Sequence, residues 1–530
     1  MTGFTGAISN FVEKLSAAQG WRLRGLGFLL GALLSLAFAP FGVAVLPFLI
    51  LPLVLVIIEA RQSRHQVFKF GWWFGFGHFV TSLYWVGISF LAQSQVPTWG
   101  APLAVIALAY ALAYYFAFAF SLYHAWNPRG WDRAIKFAVT WVVFEWLRGH
   151  LFTGFPWNLT ANIWFVSDSM MQATAYLGSY GLSFVTVFCA AALVAIFDGP
   201  AGRRRSDVMV ASISMGLIFL MFVAGAWRLK SNPTEYYPDI RLRLVQASIP
   251  QTEKWLPEKR LENFHRHIDL SVDGNGGLDG ITHVIWPETS IPYWTLDREA
   301  ARRFVLAKML GNRVTLIAGA PRRSQQDGEL QIFNSMYAIS LEGDILATYD
   351  KAHLVPFGEY VPLRAWLSGL GLAKLVPGAL DFSSGPGRRS IKLPGLPAFS
   401  PLICYEVIFP GNVTDPQDRP GWMLNLTNDA WFGTSPGPYQ HFAISRFRAL
   451  EEGMPVVRSA GTGISAFIDS YGRVLGKMEM NASGALDSNL PRALAKPTLY
   501  AKFGDLILLV LLIIAGLAVS PLSWRKGENG

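Results

Sequence analysis

Charged residues are scarce in this chain of 530 residues: they make up only 15% of it, whereas hydrophobic residues make up 52%. A soluble enzyme carries about a quarter charged residues, so a protein that is soluble along its whole length is excluded. The deficit is concentrated in residues 1–230 and 504–522. These two segments are predicted to lie in a membrane, and the region between them, roughly 235–495, is predicted to be soluble.

Cysteine is almost absent as well, since the chain has only Cys189 and Cys404. Cys189 lies in an apolar run and is interpreted as a small buried or lipid-facing residue. Cys404 lies in the soluble region, which has no second cysteine, so a structural disulfide within that region is excluded. Two interpretations of Cys404 stay open at this point, an inert buried thiol and a nucleophile.

Signals for metals, phosphates and nucleic acids are also missing. No cluster of His, Cys and Asp has the spacing of metal ligands, so we expect no metal and no other cofactor. The glycine-rich turn at 274–280 lacks the Lys-Ser/Thr pair and the following helix of a phosphate loop. The net charge of +9 does not indicate a nucleic-acid partner, because many basic residues cluster at the ends of apolar runs.

Apolar runs occur eight times, most of them near the ~20 residues that a membrane-spanning helix needs. They lie at residues 25–40, 42–60, 68–92, 101–126, 134–150, 173–197, 208–227 and 504–522. Basic residues precede the first run, recur in every second loop and follow the last run. This alternation places both termini in the cytoplasm and residues 235–495 outside, in the periplasm of a bacterium. An unpaired cysteine in that oxidising compartment favours a chemical role for Cys404.

The pattern of apolar and polar residues changes at about residue 240. Strand-like runs alternate with polar turns up to residue 468, and the stretches 253–272 and 297–310 carry apolar residues at helical spacing. This mixture predicts an α/β domain with buried sheets. We therefore predict a helical membrane domain at 1–230, a catalytic domain at 235–495, and a last membrane helix with a cytoplasmic tail at 500–530. The Gly/Pro/Ser-rich loop 377–389 is a candidate mobile lid.

Three motifs place reactive residues at the ends of predicted strands. Glu288 lies in WPETSIP, Lys351 and Glu359 lie in DKAHLVPFGEYVP, and Cys404 lies in ICYE. Each residue taken alone fits an ordinary surface or core position. Together they supply a base for the thiol proton, a cation for a developing oxyanion and a nucleophile. A nearby ammonium is also expected to lower the pKa of the thiol.

The order of Glu288, Lys351 and Cys404 resembles the Glu-Lys-Cys triad of the nitrilase, or carbon–nitrogen hydrolase, superfamily. The stretches NLTNDAWFG at 425–433 and RFRALEEGMP at 446–455 are similar to that superfamily as well. With spans before and after this domain, the architecture resembles the apolipoprotein N-acyltransferase family. The resemblance implies a nitrilase-like four-layer αββα sandwich embedded in a polytopic membrane protein of about eight helices.

The resemblance also implies roles for individual residues. They are Glu288 as general base, Lys351 as oxyanion stabiliser, Cys404 as nucleophile, Glu359, Tyr405 and Glu406 as supporting residues, and Trp255, Trp431 and Trp157 as substrate contacts. For Trp157 an interfacial aromatic anchor is the favoured alternative, and for Trp255 a core tryptophan is an equal alternative. His353 and His441 are interpreted as hydrogen-bonding loop residues and not as bases.

The function implied by the resemblance is acyl transfer at a bilayer. A fatty acyl chain would pass from a phospholipid, through a cysteine thioester, to the α-amine of the diacylglyceryl-cysteine of an apolipoprotein. The protein is expected to act as a monomer in the bacterial inner membrane. A membrane-anchored nitrilase-type amidase or hydrolase stays open as the alternative, although a small polar substrate gives no reason for eight spans. A transporter is disfavoured by the few charges inside the spans and the lack of paired broken helices.

Overall fold

The computed structural model describes residues 13–91, 98–197, 205–291, 296, 302, 314–326, 329–362 and 381–520. The chain divides into two compact units. The first comprises Met1–Tyr84, Pro102–Asn232 and Thr498–Gly530, and the second comprises Trp85–Ala101 and Pro233–Pro497. The domain boundaries inferred from the sequence stay a prediction.

Helices account for almost all regular structure of the first unit. The α-helices among the described residues are α1 (Gly20–Leu34), α2 (Leu46–Glu59), α3 (Arg64–Ser82), α4 (Val86–Leu91), α5 (Gly100–Ala125), α6 (Asp132–His150), α7 (Asp168–Met171), α8 (Thr174–Ala192), α9 (Arg205–Ser231), α10 (Gln251–Lys254), α11 (Arg260–Asp273), α12 (Pro436–Glu452), α13 (Leu499–Phe503) and α14 (Leu506–Ala518). Of these, α4 and α10–α12 belong to the second unit.

Three helices among the described residues are long and apolar enough to cross a membrane. They are Gly100–Ala125, Thr174–Ile196 and Arg205–Ser231, whereas Leu46–Glu59 and Leu506–Ala518 are shorter apolar helices. The protein is therefore membrane-associated, and the count of eight spans stays a prediction.

The apolar run 68–92, predicted to be a single span, is divided in the structure. Helix α3 ends at Ser82, and the short helix α4 belongs to the second unit. The reason is that residues after Ser82 make tertiary hydrogen bonds, which a hydropathy profile does not include. The Trp85 indole N–H donates to Gln440 Oε1 (3.1 Å), and the Ser89 hydroxyl donates to the Trp431 carbonyl oxygen (3.0 Å).

Two six-stranded sheets form the centre of the second unit. The strands are β1 (Tyr236–Gln246), β2 (His283–Ile285), β3 (Thr315–Gln326), β4 (Glu329–Ile339), β5 (Ile345–Asp350), β6 (Ile391–Leu393), β7 (Leu396–Ile403), β8 (Trp422–Thr427), β9 (Val456–Ala460), β10 (Ser465–Ile468), β11 (Val474–Met478) and β12 (Gly484–Pro491). The first sheet has the order β12-β1-β2-β3-β4-β5, and the second has the order β11-β10-β9-β8-β7-β6. In each sheet three neighbouring strands, β1-β2-β3 and β7-β8-β9, are parallel.

The two sheets pack face to face, because their strands alternate between two apolar environments. Leu244 and Ile285 of the first sheet share a buried cluster with Phe399 and Leu424 of the second. The intervening residues point the other way, as the period of two in a strand requires. Val284, for example, packs with Phe264 and Ile268 of α11 and other residues on the outer face of the first sheet.

Two helix predictions in this unit have different outcomes. The helix predicted at 253–272 is divided into α10 and α11. Leu256 precedes Pro257 between them, and a residue before proline avoids helical angles. The helix predicted at 297–310 lies outside the described residues, except for Arg302.

Three strands, β6, β11 and β12, were missed by the sequence interpretation. Strand β6 has three residues, and β11 and β12 are largely half-buried and carry mixed polar residues. Neither length nor alternation therefore marks these strands in the sequence.

Candidate active site

The three residues of the predicted triad follow three strands of the second unit. Glu288 lies just beyond β2, Lys351 directly follows β5, and Cys404 directly follows β7. All three are buried, with exposed fractions of 7%, 1% and 9%. Ionisable side chains are rarely buried to this extent unless they are paired, so their partners define the site.

A chain of hydrogen bonds links Glu288 to Lys351. The Asn334 side-chain amide on β4 donates to Glu288 Oε1 (2.7 Å) and to Glu359 Oε1 (3.1 Å). Lys351 Nζ donates to Glu359 Oε1 (2.9 Å) and lies 2.8 Å from Glu359 Oε2. Asn334 therefore joins the two carboxylates, and it was missed because a lone asparagine inside a strand carries no motif.

One oxygen of the Glu288 carboxylate is left for another partner. Its Oε2 atom is buried and makes no hydrogen bond within the described part of the chain. The other oxygen is held by Asn334. This arrangement fixes the orientation of the carboxylate while keeping one oxygen able to accept a proton.

Cys404 has an unusual backbone conformation. Its φ is +53°, where strand β7 ends and a 3-10 helix, Cys404–Ile408, begins. A residue other than glycine in this left-handed region is uncommon and costs on the order of 1–3 kcal/mol, so it persists only where its surroundings hold it. The sharp turn from strand to helix is the local geometry that presents a nucleophile and the N–H groups after it.

Burial and neighbouring charges determine the protonation of the site. Burial, and then the Glu288 carboxylate, raise the pKa of Cys404, and these effects outweigh the opposite effect of Lys351. The Lys351 ammonium thus acts on the pKa of the thiol in the expected direction, but burial and Glu288 raise that pKa by more. Burial also raises the pKa of Glu288. Burial alone would lower the pKa of Lys351, but Glu359 and Glu288 raise it above its usual value. The resting site therefore holds a neutral thiol beside a carboxylate that is a stronger base than an exposed one.

Glu406 joins the segment after β5 to the turn at Cys404. Its Oε1 accepts hydrogen bonds from the Tyr349 hydroxyl (2.9 Å) and from the backbone N–H groups of Ala352 (2.8 Å) and His353 (3.1 Å). Its Oε2 accepts from the Ile403 N–H (2.7 Å). One buried carboxylate thus aligns the segment that carries Lys351 with the strand end that carries Cys404.

The aromatic residue after the nucleophile is buried among other rings. The Tyr405 ring lies 5.7 Å from the His353 ring and 5.1 Å from the Phe409 ring, measured between centroids. Tyr405 therefore stabilises the turn that begins at Cys404, and its backbone N–H directly follows this candidate nucleophile.

A buried ion cluster supports the turn at Cys404. His441 Nε2 lies 3.2 Å from the Cys404 carbonyl oxygen, and His441 Nδ1 lies 2.9 Å from Asp429 Oδ1. Arg458 donates to Asp429 Oδ2 (2.7 Å). Burial opposes the charge of Asp429, but Arg458 and His441 lower its pKa to about 2. His441 was expected in a loop; it lies instead on helix α12, whose N-terminus is capped by Ser435.

The predicted substrate contacts lie in different parts of the chain. Trp255 follows α10 and is half-buried, with the Lys254 ammonium 5.8 Å from its ring centroid. Trp431 is half-buried in the 3-10 helix Asp429–Phe432, where its carbonyl accepts from Ser89. Trp157 belongs to the first unit, where it is buried and its carbonyl accepts from Arg148 (2.7 Å). Their contacts with substrate stay predictions.

A second lysine, missed in the sequence interpretation, contacts the backbone of Glu288. Lys254 Nζ donates to the Glu288 carbonyl oxygen (3.1 Å) and to Thr289 Oγ1 (2.8 Å). Burial lowers its pKa to about 8, while Glu288 and Cys404 act in the opposite direction. Its position beside Trp255 was the only available signal, and the sequence interpretation assigned a role to the tryptophan alone.

The predicted lid, 377–389, lies partly outside the described residues. Its described part contacts the site by backbone hydrogen bonds. The Gly385 N–H donates to the Lys351 carbonyl (2.8 Å), and the Phe382 N–H donates to the Glu359 carbonyl (2.9 Å). This segment thus holds the backbone on both sides of the Lys351–Glu359 pair.

Comparison with known families covers both units. The family described as Apolipoprotein N-acyltransferase N-terminal domain matches residues 30–192, and the family described as Carbon-nitrogen hydrolase matches residues 241–500. The second match and the two packed sheets confirm the nitrilase-like α/β fold predicted from the motifs.

Relatives match along almost the whole chain. An apolipoprotein N-acyltransferase of Rhodopseudomonas palustris is 37% identical over 97% of this chain and 98% of its own length. One of Bradyrhizobium diazoefficiens is 37% identical over 94% of each chain. One of Brucella melitensis is 36% identical over 91% of this chain and 92% of its own.

Proposed function

Because this chain belongs to the apolipoprotein N-acyltransferase family, we propose that it transfers a fatty acyl chain from a phospholipid to the α-amine of the N-terminal diacylglyceryl-cysteine of an apolipoprotein. This reaction is the last step of bacterial lipoprotein maturation. The observation that carries the proposal is the hydrogen-bonded network of Glu288, Asn334, Glu359 and Lys351, in which the charges of Glu288 and Lys351 act on Cys404.

The first half-reaction forms a thioester. Glu288 takes the proton from Cys404 Sγ as the sulfur attacks the ester carbonyl of the phospholipid, which avoids a free thiolate in a buried site. The Lys351 ammonium and the Tyr405 N–H stabilise the oxyanion of the tetrahedral intermediate. The carbon–oxygen bond then breaks, and Glu288 gives its proton to the departing lysophospholipid. The acyl chain remains on Cys404.

The second half-reaction consumes the thioester. The α-amine of the diacylglyceryl-cysteine attacks the thioester carbonyl, and Glu288 accepts a proton from the attacking nitrogen. The carbon–sulfur bond breaks as the amide forms, and the proton returns to the Cys404 sulfur. The two substrates thus react in turn with one covalent intermediate, which is ping-pong catalysis. Trp255, Trp431 and Trp157 are proposed to contact the acyl chains or the lipoprotein.

A membrane location follows from the substrates. Each buried CH₂ of an acyl chain contributes ~0.8 kcal/mol, so neither lipid leaves the bilayer readily for a soluble enzyme. We propose eight spans, cytoplasmic termini and a periplasmic nitrilase-like domain at 235–495 in the bacterial inner membrane, with a four-layer αββα arrangement. The alternation of basic and basic-poor loops and the three long apolar helices support this topology.

The nucleophile is tested by mass spectrometry of the purified, membrane-inserted protein. After incubation with phospholipid, the wild type is expected to carry an acyl-sized mass on the peptide that contains Cys404. Cys404→Ala is expected to insert normally and to lack this mass. Cys189→Ser is the matched control, because Cys189 is buried in α8 of the first unit and is expected to leave the adduct unchanged. A normal adduct in Cys404→Ala would exclude this nucleophile.

The acceptor is tested by adding a diacylglyceryl lipopeptide to the acylated enzyme. A new N-acyl amide on the peptide, with loss of the acyl mass from Cys404, is expected. Release of free fatty acid alone would instead support the hydrolase alternative. Protease mapping of sealed vesicles tests the topology, and cleavage of residues 240–490 from the cytoplasmic side would contradict it.

A further inference from the structure

The turn that carries the proposed base is strained. Glu288 is followed by Thr289, whose φ is +48°. For a β-branched residue this left-handed conformation is a genuine outlier. Such a conformation persists only where neighbouring groups hold it. The contacts of this turn therefore decide where the Glu288 carboxylate lies.

One side of the turn is held by the backbone of β3. The Gly319 N–H donates to the Pro287 carbonyl (3.2 Å), and the Ile291 N–H donates to the Gly319 carbonyl (3.1 Å). A side chain at Gly319 is excluded, because a Cβ atom there would lie 2.5 Å from the Thr289 nitrogen. These contacts are neutral, and they set the distance between the turn and the sheet.

The other side of the turn is held by a charged group from a separate helix. Lys254, the last residue of α10, places its ammonium 3.1 Å from the Glu288 carbonyl oxygen and 2.8 Å from the Thr289 hydroxyl. These atoms belong to Thr289, whose conformation is strained, and to Glu288, which directly precedes it. Hydrogen bonds from a charged donor are among the stronger ones in proteins, so two of them can hold the strained turn.

The same ammonium balances the charges of the site. The charged groups that act on Glu288 are Lys351, Glu359 and Lys254. Those that act on Lys254 are Glu288 and Cys404, and Lys254 in turn acts on His267. Glu288 and the groups that act on it thus comprise two carboxylates and two cations, and without Lys254 one of these carboxylates is in excess. A buried carboxylate in excess would be favoured in its protonated form, which is useless as a base.

We propose that Lys254 is a positioning residue for Glu288: it holds the strained turn by two hydrogen bonds, and its charge keeps the carboxylate ionised. This inference rests on the proposed role of Glu288 as the base. Burial lowers the pKa of Lys254 to about 8, so the ammonium form still predominates near neutral pH.

The test is the pH dependence of Cys404 acylation in the full-length enzyme, measured by single-turnover mass spectrometry with phospholipid vesicles. Lys254→Met removes the charge and the hydrogen bonds but keeps an unbranched apolar stem. We expect acylation at pH 7 to be at least about tenfold slower, with the acidic limb of the profile shifted up by about one pH unit, as loss of a close opposite charge predicts. Lys254→Arg keeps the charge and is expected to restore the position of the limb.

Lys259→Met is the matched control. Lys259 lies five residues further on, outside α10, and its ammonium pairs with Glu262 (2.9 Å) at the surface. This variant is expected to behave like the wild type. Thermal unfolding of all three variants reports whether each is folded.

Two outcomes would overturn the inference. A Lys254→Met enzyme with wild-type rate and profile would show that neither the hydrogen bonds nor the charge matters. A slower enzyme whose acidic limb is unshifted in both Lys254→Met and Lys254→Arg would reduce Lys254 to a structural support. Glu288→Gln separates these failures from failure of the proposed function: if that variant acylates Cys404 normally, the proposed base itself is wrong.

Discussion

Replacement of Glu288 by glutamine tests the proposed mechanism most directly, because the change removes the base and little else. The glutamine has the shape of the glutamate, and its carbonyl oxygen can still accept from Asn334, which lies 2.7 Å from Glu288 Oε1. Lys351 keeps its pair with Glu359. The variant is therefore expected to fold with the site assembled.

The expected loss follows from the state of the thiol. A cysteine with an ordinary pKa of about 8.5 is about 3% thiolate at pH 7. The pKa of Cys404 is raised by burial and by Glu288, so its thiolate fraction is smaller still. Loss of a general base lowers rates by about 10²–10⁴, or about 3–5 kcal/mol in the barrier. We expect a loss of this size in acyl-Cys404 formation at pH 7.

The pH profile gives the prediction a second signature. The wild-type rate is expected to rise as Glu288 ionises and then to level off. The Glu288→Gln rate is expected to keep rising with pH, by about tenfold per unit, because hydroxide must then remove the thiol proton. Glu262→Gln, which changes an exposed carboxylate of the same unit, is the control. A Glu288→Gln rate within tenfold of the wild type, with the same profile, would refute the assignment of the base.

Further substitutions test the support of the site. Glu406→Gln places an amide NH₂ against backbone donors and should lower the unfolding free energy by about 1–3 kcal/mol in thermal or denaturant unfolding; an unchanged stability would contradict the four hydrogen bonds. Gly319→Ala should slow Cys404 acylation more than tenfold, because an increase of about 1.4 kcal/mol in the barrier is enough for a tenfold loss. Gly421→Ala is the control and should leave the rate unchanged, because a Cβ atom there would lie 3.4 Å from its nearest neighbouring atom. Asp429→Asn breaks a buried ion pair with Arg458 and should destabilise the second unit by about 3–5 kcal/mol; a loss below 1 kcal/mol would contradict that role.

Much of the candidate site could be predicted from local sequence. Glu288, Lys351 and Cys404 each follow a short apolar run, and a polar residue directly after a buried strand lies at the sheet edge. The motifs around these residues follow one another along the chain in the order of the superfamily's Glu-Lys-Cys triad. The residues that connect these three could not be predicted from local sequence, because they lie far from them along the chain. Asn334 is separated from Glu288 by 46 residues, and Lys254 is separated from it by 34.

The helices of the first unit could also be predicted in part from the sequence, whereas the end of one helix depends on tertiary contacts. The apolar content of the first unit predicts membrane helices, since hydropathy depends on composition alone. The end of α3 at Ser82 depends on bonds from Trp85 and Ser89 to residues more than 300 positions away. A hydropathy window counts neither partner.

The amino-acid sequence by itself determined the membrane character, the α/β class of the second unit and the choice of candidate reactive residues, because these depend on composition, periodicity and motifs within a few residues. Only the tertiary structure decided the protonation of Cys404, the orientation of the Glu288 carboxylate and the contacts of Lys254. Each of these depends on burial and on charges from strands and helices far apart in sequence. Electrostatic interactions act through space, and the distances that govern them exist only once the chain has folded.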